Sequence, residues 1–599
     1  MTPRSDGAVS SRRLRVRGRG PQGLVAALSL LLAACGAAAS GSGGPGGSLL
    51  PAAAGGRHPP VSGVHRAEEW ITVSDFRHVT AVAAGDGEAY VGSTGGIEVL
   101  PAFATLPVTT LTAGDGLPSS VVTALAFEAG RGSLWIGTAL GLARYDPFAR
   151  EVVQDPVGLG TVPIRELRVS GDVALGPGAS GDLFVLAADE WFRVDPFTSS
   201  ARSVSAGEVP PPSGGFDWRG LPFVGGGVLR GERSGRRESF RVTAGEALFG
   251  GRAVLGTWGG NAYVFEPSRA TADAVAYGLA GPGGGALGWD GERLWFTNAA
   301  ASPQREARAF ALPPVADEHG IASSSGRLTD WRHTYPGLEP GLPSDRVLDV
   351  AFAGGRAFFA TEAGLGVLDA GTGAWSRLSG AAAGDETLAV EPAADGLWVG
   401  TRRGLLALRW IAPGGAGGPE DGSRAGGGLA VAGRWLEGRE IRALAGNAAA
   451  LYAATDLGLF RLAPVGPDAS RWELVEVVTA GRDLRDLVLV DDELVVAGDR
   501  GVELIPLAAG EPQLFLVGES QLDEPPLAVA ADRGNVWIGT RDGVARWDRI
   551  RRTWTEYGLA DGLPELPVLD VLIQDARYVW FSTPGGVTRY DLGDPPRSR

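Results

Sequence analysis

The chain is 599 residues long, yet it holds one cysteine, one methionine, five histidines and no lysine. With Cys35 as the sole thiol an internal disulfide is excluded, so a fold made outside the cytosol must stand on packing alone. His58, His65, His78, His319 and His333 form no His-x-His or i,i+4 pair, which removes the common zinc patterns. Asp115-Gly116, Asp395-Gly396, Asp542-Gly543 and Asp561-Gly562 lie outside any run of alternating acids and read as hairpin turns, not calcium loops. The one broken Gly-x-Ser-x-Gly, at Gly41-Ser-Gly-Gly-Pro, lies where nothing could position a triad. No metal, cofactor or catalytic nucleophile is therefore expected. Beyond the N-terminus no apolar run is long enough for a membrane-spanning helix.

What is present begins with a targeting segment. Arg12, Arg13, Arg15, Arg17 and Arg19 precede the apolar stretch from Leu24 to Ala34, which is too short to span a bilayer and reads as a cleaved signal. Leu32-Ala-Ala-Cys35 resembles the bacterial lipoprotein box, which implies lipid attachment at Cys35 after removal of residues 1–34. Gly36 after that cysteine favours the outer membrane by the enterobacterial sorting rule. Residues 35–64 are Gly, Ala, Ser and Pro with little to bury, a flexible tether. Removal of 1–34 takes six Arg and one Asp, moving the formal charge from −15 to −20. An acidic body of this kind repels phosphate backbones, so no nucleic-acid partner is expected.

The body is a repeat. Leu134-Trp-Ile-Gly-Thr138 is bracketed by short apolar runs and Gly turns, and its second residue recurs as Tyr90, Trp135, Phe184, Val254, Trp295, Phe358, Trp398, Tyr452, Val495, Trp537 and Trp580. Most spacings suit one four-stranded blade of roughly 40–50 residues. The long gap before Val254 leaves room for a degenerate blade near Leu221 to Val242. Alternation puts Leu134 and Ile136 on one face and Trp135 and Gly137 on the other, both against neighbouring blades. The fold class is all-β, two tandem propellers of about six four-stranded blades each, 11–12 in total.

A second series, Trp70, Trp331, Trp375, Trp435, Trp472 and Trp554, marks the outermost strand of each blade. Trp70 comes before any inner strand and Tyr590-Asp591 comes last, so an early outer strand must close a later blade. Two closures are open. The preferred one has Trp70 closing the Trp295 blade and Trp331 the Trp580 blade, with propellers at 65–325 and 326–595. The other has Trp331 completing the Trp295 blade in order and Trp70 completing the Trp580 blade.

Gly116-Leu-Pro-Ser-Ser-Val-Val-Thr, Gly341-Leu-Pro-Ser-Asp-Arg-Val and Asp561-Gly-Leu-Pro564, each leading to a Trp or Phe strand and then to Gly-(Leu or Val)-x-Arg-(Tyr or Trp)-Asp or a relic of it, resemble the two-component regulator propeller repeat. The resemblance implies a periplasmic sensor-type propeller. No kinase or DNA-binding segment follows before Arg599, so signalling is not expected. Arg144/Asp146, Arg193/Asp195, Arg546/Asp548 and Arg589/Asp591 recur blade after blade and read as ion pairs or turn braces.

The innermost strands show an asymmetry. Arg346, Glu440, Arg442, Asp483, Arg485 and Asp486 would give the second propeller a charged rim. Of these, Arg346, Arg442, Asp483, Arg485 and Asp486 are the candidate ligand-binding residues, since Arg holds carboxylates bidentately. The rival is mutual pairing around a wet channel. The expected function is a lipid-anchored envelope module that binds a ligand or partner protein, with no catalysis. The alternatives are a polysaccharide hydrolase or lyase using Glu440, Asp483 and Asp486, and an outer-membrane assembly lipoprotein.

Overall fold

The computed structural model describes most of residues 70–592, leaving aside chiefly 102–106, 171–181, 276–283, 299–307, 312–331, 335–341, 378–385 and 412–427. The expectations for residues 1–34 and 35–64 lie outside this range, as does Trp331. The described strands form eleven antiparallel sheets, ten of four strands and one of six. Each of the eleven anchors falls in its own sheet, on the strand next to the innermost. The architecture is that of tandem β-propellers, as the repeat implies.

Why each blade folds as it does is visible in the Trp135 unit. Trp135 packs with Ile164, Leu167 and Val185 of the next sheet, while Leu134 and Ile136 pack with Tyr90 of the previous one. The hairpin after the anchor strand is held by Thr138, whose hydroxyl accepts from Leu140 N–H and donates to the Gly141 carbonyl. The same clasp joins Thr361 to Gly364, Thr401 to Gly404, Thr455 to Gly458, Thr540 to Gly543 and Thr583 to Gly586. Gly141 has φ 138°, a conformation that side chains disfavour. The leucines of Gly-Leu-Pro, Leu117, Leu342 and Leu563, are buried between sheets.

The Gly that precedes the clasp at Thr138, and its equivalent before Ser93, have a different task. A Cβ on Gly137 would stand 2.7 Å from Ile164 Cγ2, and one on Gly92 2.7 Å from Val122 Cγ1. In both cases the neighbour is the first residue of the next inner strand, so glycine sets how closely blades approach. Gly137→Ala is expected to cost about 1–2 kcal/mol in urea denaturation through this overlap.

The recurring Arg and Asp take different partners from blade to blade. Arg144, Arg546 and Arg589 lie over the anchor rings of Trp135, Trp537 and Trp580 at 6.0, 5.0 and 5.9 Å. Asp146 and Asp548 instead accept from the backbone N–H groups of the following turn. The turn brace holds for Asp146 and Asp548, while Arg193 and Asp591 form ion pairs with Asp182 and Arg577.

The division between the propellers differs from the preferred closure. Trp70–Ser74 pairs with Gly586–Asp591, Thr72 opposite Thr588, and so completes the Trp580 sheet. Arg332–Thr334 pairs with Arg308–Ala311 and completes the Trp295 sheet in simple order. A boundary at 325/326 would cut that sheet in two. At this closure Trp70 enters an aromatic nest, buried against Tyr590, Tyr557 and Phe581 at centroid distances of 4.8, 5.5 and 6.1 Å.

Seven sheets then close a ring. Inner strands Gly284–Trp289, Val347–Ala353, Thr387–Ala393, Ile441–Gly446, Leu484–Val490, Ala528–Ala531 and Asp570–Gln574 touch in that order, and the last touches the first. The other four sheets, anchored by Tyr90, Trp135, Phe184 and Val254, form the second assembly, with the Val254 sheet beside the Tyr90 sheet. In the six-stranded sheet, Val224–Gly225, Val228–Arg233 and the first half of Arg236–Ala247 supply the material of the degenerate blade expected there, and Arg236–Ala247 runs on as the inner strand of the Val254 unit. The two assemblies are joined at residues 75–78, where Arg77 forks onto Asp75 at 2.8 and 2.7 Å, both buried. Among the described residues no helix is long and apolar enough to cross a membrane.

Candidate functional site

The charged rim is a chain of ion pairs along neighbouring sheets. Arg402 reaches Glu386 at 2.6 Å and Glu440 at 3.2 Å, and Arg442 reaches Glu440 at 3.2 Å and Asp483 at 2.6 Å. Arg442 and Arg485 occupy the bulge of their inner strands and donate to the next sheet's backbone, to Leu484 O and Pro526 O. Thr80, Thr123 and Thr243 do the same at the equivalent bulges of the other propeller, reaching Val122 O, Ile164 O and Val79 O. Repetition across blades marks this as bracing. Arg346 stands apart, exposed and 3.8 Å from Glu362.

Asp486 is not in the rim at all. Its two oxygens accept from Leu487 N–H at 2.8 Å and from Val529 N–H of the next sheet at 2.7 Å. Asp349 bonds Val350 and Val390 in the same way, and Asp570 bonds Val571 and Leu287. The three carboxyls sit on inner strands, enclosed by protein, and they feel one another. Enclosure pushes Asp349 up to about 6 and Asp486 up to about 7, and carries Asp570 well above the usual range, with the charges of Asp486 and Asp349 adding to the last. Both Asp486 oxygens are thus taken up by backbone. Of the six rim residues singled out by sequence, the structure brings Glu440, Arg442 and Asp483 together and keeps Arg346, Arg485 and Asp486 apart.

A site that sequence reasoning passed over lies between the Trp398 and Tyr452 sheets. It is a cleft of about 580 Å³ lined by Trp398, Trp435, Trp472, Glu391, Asp395 and Arg409, with small residues, mostly alanine, making up much of the rest. That size suits a small-molecule site. Small side chains leave the space open, and a register shift at Ala407/Leu408 moves the outer strand Gly428–Trp435. Trp435 and Trp472 lie 5.3 and 5.1 Å from Trp398, with planes turned by 58° and 78°. Trp435 Nε1–H donates to Trp472 O at 3.1 Å and is held by that bond.

Glu391 is the polar group at this cleft. It faces Trp398 across the strands, where the other six sheets of the ring carry Gly288, Ala351, Ala445, Val488, Ala530 and Leu572. Burial pushes its carboxyl up to about 7, against the pull of the Gly446 N–H, 3.2 Å away, and with a small push from Asp349. A register comparison of the repeats would have found it, since Glu391 stands seven residues before its anchor. Among the described residues no group of three or more His, Cys, Asp or Glu gathers as a metal site.

Comparison with known proteins finds structural likeness at low sequence identity. No family model matches the sequence, and no curated protein matches it. Among solved structures the chain is similar to the extracellular domains of two hybrid two-component systems from B. thetaiotaomicron. The first aligns at TM-score 0.40 and 13% identity over 87% of this chain and 76% of that one. The second aligns at 0.40 and 12% over 86% and 82%. PorZ, a surface component of the type-IX secretion system of Porphyromonas gingivalis, aligns at 0.30 and 13% over 86% and 79%.

Proposed function

We propose that this chain is a ligand-binding module of the bacterial cell envelope, tethered through a lipid on Cys35, with its ligand seated between the Trp398 and Tyr452 sheets. The observation that supports the reading is the break in symmetry at that cleft. At the matching register position the other six sheets of the ring carry only Gly, Ala, Val or Leu. Here a carboxyl flanks a cavity walled by indoles, the combination of an apolar pocket and a perturbed acid that marks binding sites. Leu32-Ala-Ala-Cys35 supports the anchor.

Two measurements test it. Radiolabelled palmitate is expected in the wild type and absent from Cys35→Ser. A thermal-melt screen of envelope small molecules should find compounds that stabilise the wild type and leave Ala448→Phe unmoved, because Ala448 is exposed at the cleft and a phenyl ring there would plug it. A stabilisation of about 2.7 kcal/mol would accompany a ligand at a hundred times its Kd. A hit that stabilises both forms equally would place binding elsewhere.

A further inference from the structure

We infer that the cleft between the Trp398 and Tyr452 sheets takes an organic cation, an ammonium group on an alkyl body, with Glu391 as its counter-charge and the indoles of Trp398, Trp435 and Trp472 as its walls. The inference rests on the cleft reading above and adds the chemistry of the ligand. An indole face carries negative electrostatic potential and attracts cations, more strongly than tyrosine or phenylalanine does. Trp435 and Trp472 are turned by 58° and 78° from the Trp398 plane and stack on it in neither case, so a compact cation can meet more than one ring.

Glu391 supplies the charge. One of its oxygens takes the Gly446 N–H, and the influences on its carboxyl are burial, that N–H and the Asp349 charge, with no arginine among them. The arginine that lines the cleft, Arg409, is bonded to Asp395 at 2.9 Å, and both are substantially exposed. Among the described residues the deeper acid has no positive partner, and a bound cation would provide one.

The alternatives fit worse. An anion would face Glu391 and the electron-rich ring faces together. A polyol would need an array of donors and acceptors, but Arg409 and Asp395 are tied to each other, Asn447 Oδ1 is taken by the Ala449 and Ala450 N–H groups, and Ala393, Ala407, Ala432 and Ala448 fill much of the wall. A volume of about 580 Å³ exceeds what a trimethylammonium head fills, which leaves space for an alkyl body.

The test is titration of the full chain, read by tryptophan fluorescence and calorimetry, with choline and with 3,3-dimethyl-1-butanol, its uncharged counterpart of the same shape. Choline is expected to bind saturably, and the neutral compound roughly tenfold or more weaker, because only the cation gains from Glu391 and the indole faces. Glu391→Gln keeps an acceptor for the Gly446 N–H, so it should fold; it is expected to weaken choline by roughly tenfold and leave the neutral compound unchanged. Should that variant fail to fold, the comparison of the two compounds on the wild type decides alone. Equal binding of both compounds overturns the inference, as does undiminished choline binding by a folded Glu391→Gln, or no choline binding up to about 50 mM. Neutral binding that Ala448→Phe blocks would remove the cation and keep the cleft. Failure of the whole melt screen would remove both.

Discussion

Trp70→Ala is expected to lower the stability of the seven-sheet ring by about 3–5 kcal/mol, the usual range for removing a buried tryptophan. Trp70 packs in a nest with Tyr557, Phe581 and Tyr590, and Trp537 lies against the last three of these in turn. The loss should exceed that of truncating an equally large outer-strand residue such as Trp554, because Trp554 belongs to a sheet whose four strands follow one another in sequence. Trp70 holds a strand that arrives from more than five hundred residues away. Without it Gly586–Asp591 becomes a sheet edge, which favours pairing with other chains. Urea denaturation followed by tryptophan fluorescence checks the first effect, and light scattering near the transition midpoint checks the second.

Asp486→Ala is expected to cost about 2–3 kcal/mol near pH 5 and less near pH 8. The substitution strips acceptors from the Leu487 and Val529 N–H groups, and each unsatisfied buried donor costs about 1–3 kcal/mol, at the low end where water can reach it. The pH dependence follows from protons. In the folded chain Asp349, Asp486 and Asp570 hold theirs more tightly than an ordinary aspartate near 3.8 does. The folded form binds more protons than the unfolded form between about pH 4 and 7, so the contribution of these groups is fully present below that window and is lost as pH rises through it. Once ionised, the three acids also repel one another. Removing Asp486 therefore flattens the wild-type decline, and melts at a series of pH values between 4 and 8 would show the two curves converging.

Much of the fold was legible because its signals are local. An alternating strand, a Thr clasp and a Gly turn are each defined within a few residues, so all eleven anchors could be read from one unit and each found its own sheet. Closure was harder. In sequence Trp70 and Trp331 each head a short polar stretch, and nothing local shows that the nest of residues 557, 581 and 590 receives Trp70. The rim residues were visible as charges, but their partners were not. Arg485 reads the same whether it faces a ligand or the Pro526 carbonyl. Asp486 likewise gave no sign in sequence that both its oxygens meet backbone. The cleft was missed because a cavity is made by what surrounds it. Glu391 is conspicuous only beside its six counterparts in register, and the space next to it comes from alanines that look like any others.

The central claim is that the first strand closes the last blade. In a Cys35→Ser background, Thr72→Cys/Thr588→Cys places two thiols where the native hydroxyls stand 3.0 Å apart. Mild oxidation should give an intramolecular disulfide, seen as a linked peptide pair by mass spectrometry, while Thr72→Cys/Ala309→Cys should give none. Linkage of 72 to 309 with no linkage of 72 to 588 would show that the first strand closes the Trp295 blade and would contradict the account.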